Sequence, residues 1–205
     1  KKYSSQKALH FLVICPTSVI YHWQEKLEAF LPTLRICTFH GINRSFQDFQ
    51  EDYDILLTSY GVWRNEVALL RKVPFELAIF DEIQVAKNHS SGIHKSLLKI
   101  QSTMRLGLTG TPIENRIREL KSLYDIVLPK YMPGEKEYID YFVKPIEKEG
   151  NLQRKNLLSR YVKPFILRRK KEDVLIDLPE KTEEISHCAL SEEQARMYNE
   201  VVERS

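Results

Sequence analysis

Residues Phe75–Phe80 form a short apolar run that Pro74 opens and two adjacent carboxylates, Asp81 and Glu82, close. A run of that length with Ile and Phe suits a strand buried on both faces of a parallel sheet. The pattern recurs along the chain. His10–Cys15 is a continuous apolar run closed by Pro16, Arg35–Phe39 ends at Gly41, and Ile55–Leu57 runs into Thr58-Ser59-Tyr60-Gly61. Met104–Leu108 makes a fifth run and leads into Thr109-Gly110. Helical patterns lie between them. Ile20, Trp23, Leu27 and Phe30 mark one helix, capped by Thr17 or Ser18 and stopped by Pro32. A short helix and polar loop follow over residues 44–53 around Phe46 and Phe49, then a helix with Val62, Val67 and Leu70, and another with Ile93, Leu97 and Ile100. This strand-then-helix order predicts an α/β fold with parallel strands and crossover helices on both faces.

Open α/β sheets bind ligands beyond the carboxyl ends of their strands, which is where Asp81 and Glu82 would sit. Two acids there can divide the labour of phosphoryl transfer, one holding a hydrated Mg²⁺ and the other activating the attacking water. Taken alone, the dipeptide also fits a strand end that simply meets solvent. Downstream of the Met104–Leu108 run, Thr111 is predicted to cap a helix, with Pro112 at its first position and Glu114 completing a capping box. Ile113, Ile117, Leu120, Tyr124 and Val127 then make one apolar stripe up to Pro129. The cap needs only Thr111 and Glu114, so Thr109 and Gly110 call for another role.

From Tyr131 to Tyr161 the strand signals vanish. Tyr138, Tyr141 and Phe142 give one helical face, and Leu152, Leu157, Leu158 and Tyr161 another, which predicts a helical insertion standing off the sheet. Pro164–Leu167 reads as extended and precedes the basic cluster Arg168-Arg169-Lys170-Lys171, which suits a solvated face as well as a binding surface. Val174–Pro179 follows, then a strand-like stretch over Glu183–Leu190. Ser191, with Gln194 three residues on, opens a last helix.

Composition narrows the classes. The chain has 205 residues, 42% hydrophobic and 29% charged, enough for one α/β domain with a smaller appended piece. No apolar run approaches the roughly 20 residues of a membrane helix. The N-terminus begins without Met and carries no signal-peptide pattern, and reads as a cut inside a longer protein. Cys15, Cys37 and Cys188 are few, odd in number and far apart, which points to a reducing compartment and away from a disulfide scaffold or zinc site. The six His residues form no HExxH pattern, and His89 and His94 read as solvated loop residues. A net charge of +3 does not by itself announce a nucleic-acid partner.

Together these residues resemble the first RecA-like lobe of the Snf2-family ATPases of helicase superfamily 2, DNA-translocating motors of chromatin remodelers and their bacterial relatives. Cys15-Pro16-Thr17-Ser18 with Trp23 is similar to motif Ia, Leu57-Thr58-Ser59-Tyr60 to motif Ib, and Asp81-Glu82-Ile83-Gln84 to motif II. Leu108-Thr109-Gly110-Thr111-Pro112-Ile113-Glu114-Asn115 resembles motif III and is the most specific of the set. The block from Pro164 through Lys181 resembles the family's segment after its first helical protrusion. The resemblance spans residues 10–204.

The resemblance implies a three-layer parallel sheet of the P-loop NTPase type with a helical protrusion. It divides the chain into a partial lobe (1–130), the protrusion (131–163) and a connection toward a second lobe (164–205). It also implies ATP and Mg²⁺ as cofactors and double-stranded DNA as partner. Asp81 would hold Mg²⁺ through water, Glu82 would activate the water attacking the γ-phosphate, and Gln84 would touch the phosphate end and the opposite lobe. Pro16, Thr17, Ser18, Thr58 and Ser59 would grip the phosphate backbone of one strand. Thr109, Gly110 and Thr111 would link nucleotide state to DNA contact, the two threonines touching DNA themselves. Arg168 and Arg169 would face the second lobe. The implied location is the cytoplasm of a bacterium, or the nucleus of a eukaryote.

Two departures stand out. The third residue of motif II is usually small in this family, and here it is Ile83. No Gly-Lys-Thr or Gly-Lys-Ser occurs among the 205 residues, so the phosphate-cradling P-loop is expected upstream; with the second lobe and its arginine fingers also expected outside these residues, the chain alone is expected not to turn over ATP. An RNA helicase of the wider superfamily is the nearest alternative, although those more often carry Ala-Asp after the acid pair and Ser-Ala-Thr at motif III. A degenerate lobe that only binds DNA or protein is another.

Overall fold

The computed structural model describes residues 9–42, 44–46, 49–110, 117–169 and 190–203. The cap at Thr111 to Glu114, the rest of the motif III block to Asn115, Lys170-Lys171, the Val174–Pro179 run and residues 183–189 lie outside that set. The chain falls into two compact units, Lys1–Tyr161 and Val162–Ser205.

Among the described residues, five strands make one parallel sheet: β1 (Phe11–Cys15), β2 (Ile36–Phe39), β3 (Ile55–Ser59), β4 (Pro74–Phe80) and β5 (Gln101–Gly107), in the order β2-β3-β1-β4-β5. Each forms where the sequence places an apolar run, and β3 extends through Thr58 and Ser59, both buried. The helices between them are α1 (Ile20–Phe30), α2 (Phe49–Asp52), α3 (Tyr60–Asn65), α4 (Val67–Leu70) and α5 (Gly92–Leu97). The chain leaves β1 toward β2, then from β2 onward runs the opposite way to β3, past β1, and on to β4 and β5. Right-handed crossovers then require α1 on one face and the later helices on the other, and the reversal opens a crevice at the carboxyl ends of β1 and β4.

Side chains divide accordingly. On the α1 side, Val13, Cys15, Ile55 and Leu57 pack with Ile20, Trp23 and Leu27. On the other, Leu12, Ile14, Leu56, Ala78 and Phe80 meet Trp63, Leu70, Leu97, Leu123 and Ile126. Burying each such aliphatic or Phe side chain is worth about 1.5–3 kcal/mol, so the two cores fix the sheet register on both faces. Among the described residues β5 is an edge strand, where Met104 (59% exposed) and Leu106 face the sparsely covered α1 side.

Several elements depart from the sequence reading. Thr17 and Ser18 do not cap α1: residues Thr17–Val19 form a 3₁₀ turn closed by Val19 N–H on the Pro16 carbonyl, 3.1 Å, and α1 starts after it. The single helix expected over 62–70 is two, broken at Glu66, with Ser59 Oγ capping α3 through Val62 N–H at 3.3 Å. His94 is a buried residue of α5, not a solvated loop residue. The helix α6 (Ile117–Val127) buries Lys121 through Tyr124 and Ile126, a broader face than one stripe. Arg105 of β5 donates to the Ile126 carbonyl at 2.7 Å, a cation on the orphan carbonyls of that helix end.

After α6 come α7 (Glu135–Tyr138), continuing through wider π turns to Lys148, and α8 (Leu152–Val162). Tyr138 and Phe142 are buried with ring centroids 5.3 Å apart, whereas Tyr141 is half-exposed under the Arg154 guanidinium. Lys163–Phe165 is a 3₁₀ turn, not the extended segment expected from Pro164, and Ile166 after it is extended. Before the last helix, α9 (Glu192–Glu203), the capping box is present: Ser191 N–H donates to Gln194 Oε1 at 3.1 Å, and Gln194 N–H to Ser191 Oγ at 3.3 Å. Among the described residues no helix is long and apolar enough to cross a membrane.

Candidate active site

The crevice between β1 and β4 is where the acid pair emerges. Asp81 N–H donates to the Ile14 carbonyl of β1 at 2.8 Å, and Ile83 N–H to the Leu108 carbonyl beyond β5 at 3.0 Å. These bonds pin the turn after β4 to strand ends on both sides. Asp81 and Glu82 are half-buried, while Thr109 and Gly110 are exposed just past Leu108. Glu82 sits at φ 50°, ψ 49°, a left-handed conformation that is uncommon for a residue with a side chain. Such backbone persists where surrounding bonds over-determine it, and here the 3₁₀ turn Ile83–Ala86 starts immediately after.

The acids are held from several directions. Asp81 Oδ1 accepts the Glu82 N–H at 3.0 Å, and Asp81 Oδ2 accepts the indole N–H of Trp23, on α1, at 2.8 Å. The Tyr60 hydroxyl, at the start of α3, donates to the Asp81 carbonyl at 2.7 Å. Burial pushes the Tyr60 phenol up, with Asp81 adding to the shift, so it stays a donor. Burial and the neighbouring Asp81 charge likewise push the Cys15 thiol up to about 12, which keeps it neutral and inert beside the acid. Gln84 donates from Nε2 to Glu82 Oε2 at 2.5 Å, and its buried Oε1 has no partner among the described residues.

The other residues singled out in the sequence distribute unevenly. Thr17 and Ser18 are exposed on the turn that leads into α1, with Pro16 half-buried beside them. Thr58 is fully buried and its hydroxyl donates to the Phe39 carbonyl at 2.9 Å; Ser59 is buried and caps α3. Neither hydroxyl faces solvent in this arrangement. Arg168 and Arg169 are exposed in the second compact unit. Thr111 lies outside the described residues. The sequence reading missed Trp23 and Tyr60 as neighbours of the acid pair, because Trp23 stands where a helix-period pattern asks only for apolar bulk and Tyr60 reads as part of the stretch that follows β3. A Trp or Tyr buried in a core does need a partner for its polar atom, and that is the signal that could have found them.

Ile83 finds its room in the sheet. It is 3% exposed, and its Cδ1 lies 2.8 Å from where a Cβ on Gly107 would be. The absent side chain at Gly107 on β5 is therefore what accommodates a large third residue after Asp81-Glu82.

Comparison with known proteins is consistent across sequence and structure. The model of the SNF2-related domain matches residues 1–205. The TATA-binding protein-associated factor MOT1 of Saccharomyces cerevisiae is 36% identical over 94% of this chain and 11% of that protein. The putative ATP-dependent helicase/translocase YwqA of Bacillus subtilis is 36% identical over 98% of this chain and 22% of that protein. The chain thus spans between a tenth and a quarter of the length of these relatives. Among solved structures, the Sulfolobus solfataricus SWI2/SNF2 ATPase core in complex with dsDNA superimposes with a TM-score of 0.75 at 37% identity, covering 97% of this chain and 42% of that one. With the family model matching end to end, a parallel RecA-like sheet and an acid pair at its switch point, the chain belongs to the SNF2-related domain family.

Proposed function

We propose that this chain is part of an ATP-dependent, double-stranded-DNA-translocating motor and carries the hydrolytic acids of its ATPase. The observation that carries the reading is the half-exposed Asp81-Glu82 pair at the crevice, in a turn that Ile83 N–H ties to the carbonyl of Leu108, the residue before Thr109. A Mg²⁺ ion bridging nucleotide phosphates asks for one or two carboxylates and several waters, not a dedicated cage. Asp81 fits that demand, and no group of three or more His, Cys, Asp or Glu among the described residues forms a rival cage. When bound, the ion neutralises charge on the transferred phosphoryl group. Glu82 takes the proton of the attacking water, and the Gln84 amide orients its carboxylate.

The exposed Thr17 and Ser18, with Pro16, are assigned to the DNA backbone, where hydroxyls and amides position a motor without reading sequence. Thr58 and Ser59 support that surface from within, by tying β3 to β2 and capping α3. Thr109, Gly110 and Thr111 couple the two sites, and Arg168 and Arg169 face a second lobe. In domain terms, residues 1–130 are the partial lobe, 131–163 the protrusion and 164–205 the connection.

The test is steady-state ATP hydrolysis by the full-length protein with duplex DNA, with RNA and with neither. Duplex DNA is expected to stimulate; stimulation by RNA alone would replace this reading with that of an RNA helicase. Glu82→Gln in that protein is expected to keep ATP binding while hydrolysis falls by about 10²–10⁴-fold, the usual worth of a positioned base. Hydrolysis near the wild-type rate would remove the role given to Glu82.

A further inference from the structure

We propose that Trp23 is a positioning residue that ties the nucleic-acid-facing end of α1 to Asp81, so that DNA engagement and Mg·nucleotide binding report on each other. The inference rests on the reading above and adds the route by which the two sites communicate. Trp23 has the body of a core residue, packed with Val13, Leu27 and Ile79 on the α1 side of the sheet. Packing alone asks for an apolar ring at this position. What Phe cannot supply is the N–H that reaches Asp81 Oδ2 at 2.8 Å.

With Oδ1 on the Glu82 N–H and Oδ2 on the indole, the carboxylate is fixed about its last torsion. Of these two donors, one belongs to the acid's own turn and cannot move independently of it. The other belongs to α1, whose entry turn presents Thr17 and Ser18 to solvent. A shift of α1 under a bound phosphate backbone therefore changes the Trp23–Asp81 bond first. Tyr60 repeats the device from the other side: α3 begins at the capped end of β3, and its hydroxyl holds the Asp81 carbonyl at 2.7 Å. The two helices that follow the candidate DNA-contacting strand ends thus both reach the same acid, each through a polar atom on an otherwise apolar ring. Coupling of this kind is reciprocal, so the factor by which DNA tightens Mg·nucleotide must equal the factor by which Mg·nucleotide tightens DNA.

The experiment uses the full-length protein, a fluorescent ATP analogue and a duplex oligonucleotide, with nucleotide affinity measured with and without Mg²⁺ and with and without duplex. Trp23→Phe is expected to weaken Mg·nucleotide binding about tenfold, the worth of one hydrogen bond to a charged group. Binding of metal-free nucleotide and of duplex alone should stay within about twofold. The factor linking duplex and Mg·nucleotide should shrink toward one, in both directions of measurement. Tyr60→Phe, which keeps the buried ring and removes only the hydroxyl, should reduce the same factor and carries the test if Trp23→Phe fails to fold by thermal melting. Folded variants that bind Mg·nucleotide and respond to duplex as the wild type does would overturn the positioning role. A wild-type protein that binds no Mg·nucleotide, or binds it indifferently to duplex, would instead overturn the parent reading and this inference with it.

Discussion

Ile83 and Gly107 are a complementary pair made by register: Phe80 lies opposite Gly107 across the β4–β5 ladder, and the chain then turns so that Ile83 covers the glycine. A methyl at position 107 would stand 2.8 Å from Ile83 Cδ1 and 3.3 Å from Cγ2, and the branched side chain is buried and stiff. Gly107→Ala is therefore expected to destabilise by about 1–2 kcal/mol, the lower part of the overpacking range. Ile83→Ala should cost about 2–5 kcal/mol as a cavity. In the Ile83→Ala background the same Gly107→Ala change should turn neutral or stabilising, since a strand glycine has been replaced and the clash is gone. Urea denaturation of the four proteins measures this; equal costs of Gly107→Ala in both backgrounds would show that the two residues do not share a space. None of this was legible in the sequence. Ile83 could be seen to be large where the family is usually small, but its partner lies on another strand and only the register brings them together. The left-handed backbone at Glu82 was hidden for a related reason, since nothing in a glutamate announces it and the bonds that impose it come from Ile14 and Leu108.

At the scale of elements, α5 shows where local reading succeeds and where it stops. Its existence followed from Ile93, Leu97 and Ile100, as the five strands followed from their apolar runs. Its polar wiring did not follow. Ser91 Oγ accepts His94 N–H at 3.1 Å to cap the helix, and the buried His94 ring returns to the Ala86 carbonyl at 3.1 Å. A carbonyl only accepts, so Nδ1 carries a proton and donates it to Ala86. Burial pulls the His94 pKa below its ordinary 6.5, against the opposing pull of the Ala86 bond and of Asp125, while His89 and Lys121 add to the depression. The sign then follows from linkage: below 6.5 the unfolded chain takes up a proton that the folded ring refuses, so stability is fully present above that pH and falls as pH drops toward the lowered folded value. His94→Gln, neutral throughout, is expected to be less stable near neutrality yet to lose stability less steeply between about pH 7.5 and about pH 5.5. Denaturant midpoints across that window check it, and parallel slopes for wild type and variant would exclude His94 as the source. α1 teaches the opposite lesson about caps. Thr17 and Ser18 looked like N-caps because they follow Pro16 and precede an apolar stripe, but the Pro16 carbonyl closes a 3₁₀ turn first, which leaves both hydroxyls exposed.

At the scale of the whole molecule, the ingredients of phosphoryl transfer are unequally represented. The chain supplies an acid pair fixed by β1, α1, α3 and the strand end after β5, yet none of its seven glycines is followed by Lys-Thr or Lys-Ser. Acids at a sheet switch point activate water and hold a cation, but affinity for the nucleotide comes chiefly from backbone amides wrapped around its phosphates. The two contributions are separable in measurement because ligand binding raises the melting temperature in proportion to the logarithm of ligand concentration over its dissociation constant. Residues 1–205 by themselves are expected to fold, since an apolar core forms on each face of the sheet and leaves the β5 edge sparsely covered on the α1 side. They are expected to show no shift in melting temperature with Mg·ATP at millimolar concentration and no hydrolysis with or without duplex DNA. The full-length protein should show both. A melting shift of several degrees for residues 1–205 with Mg·ATP, abolished by Asp81→Asn, would mean that the acid pair and its Trp23 and Tyr60 supports already form a nucleotide site without a glycine-rich cradle, and the division of labour proposed for the lobe would have to be redrawn around them.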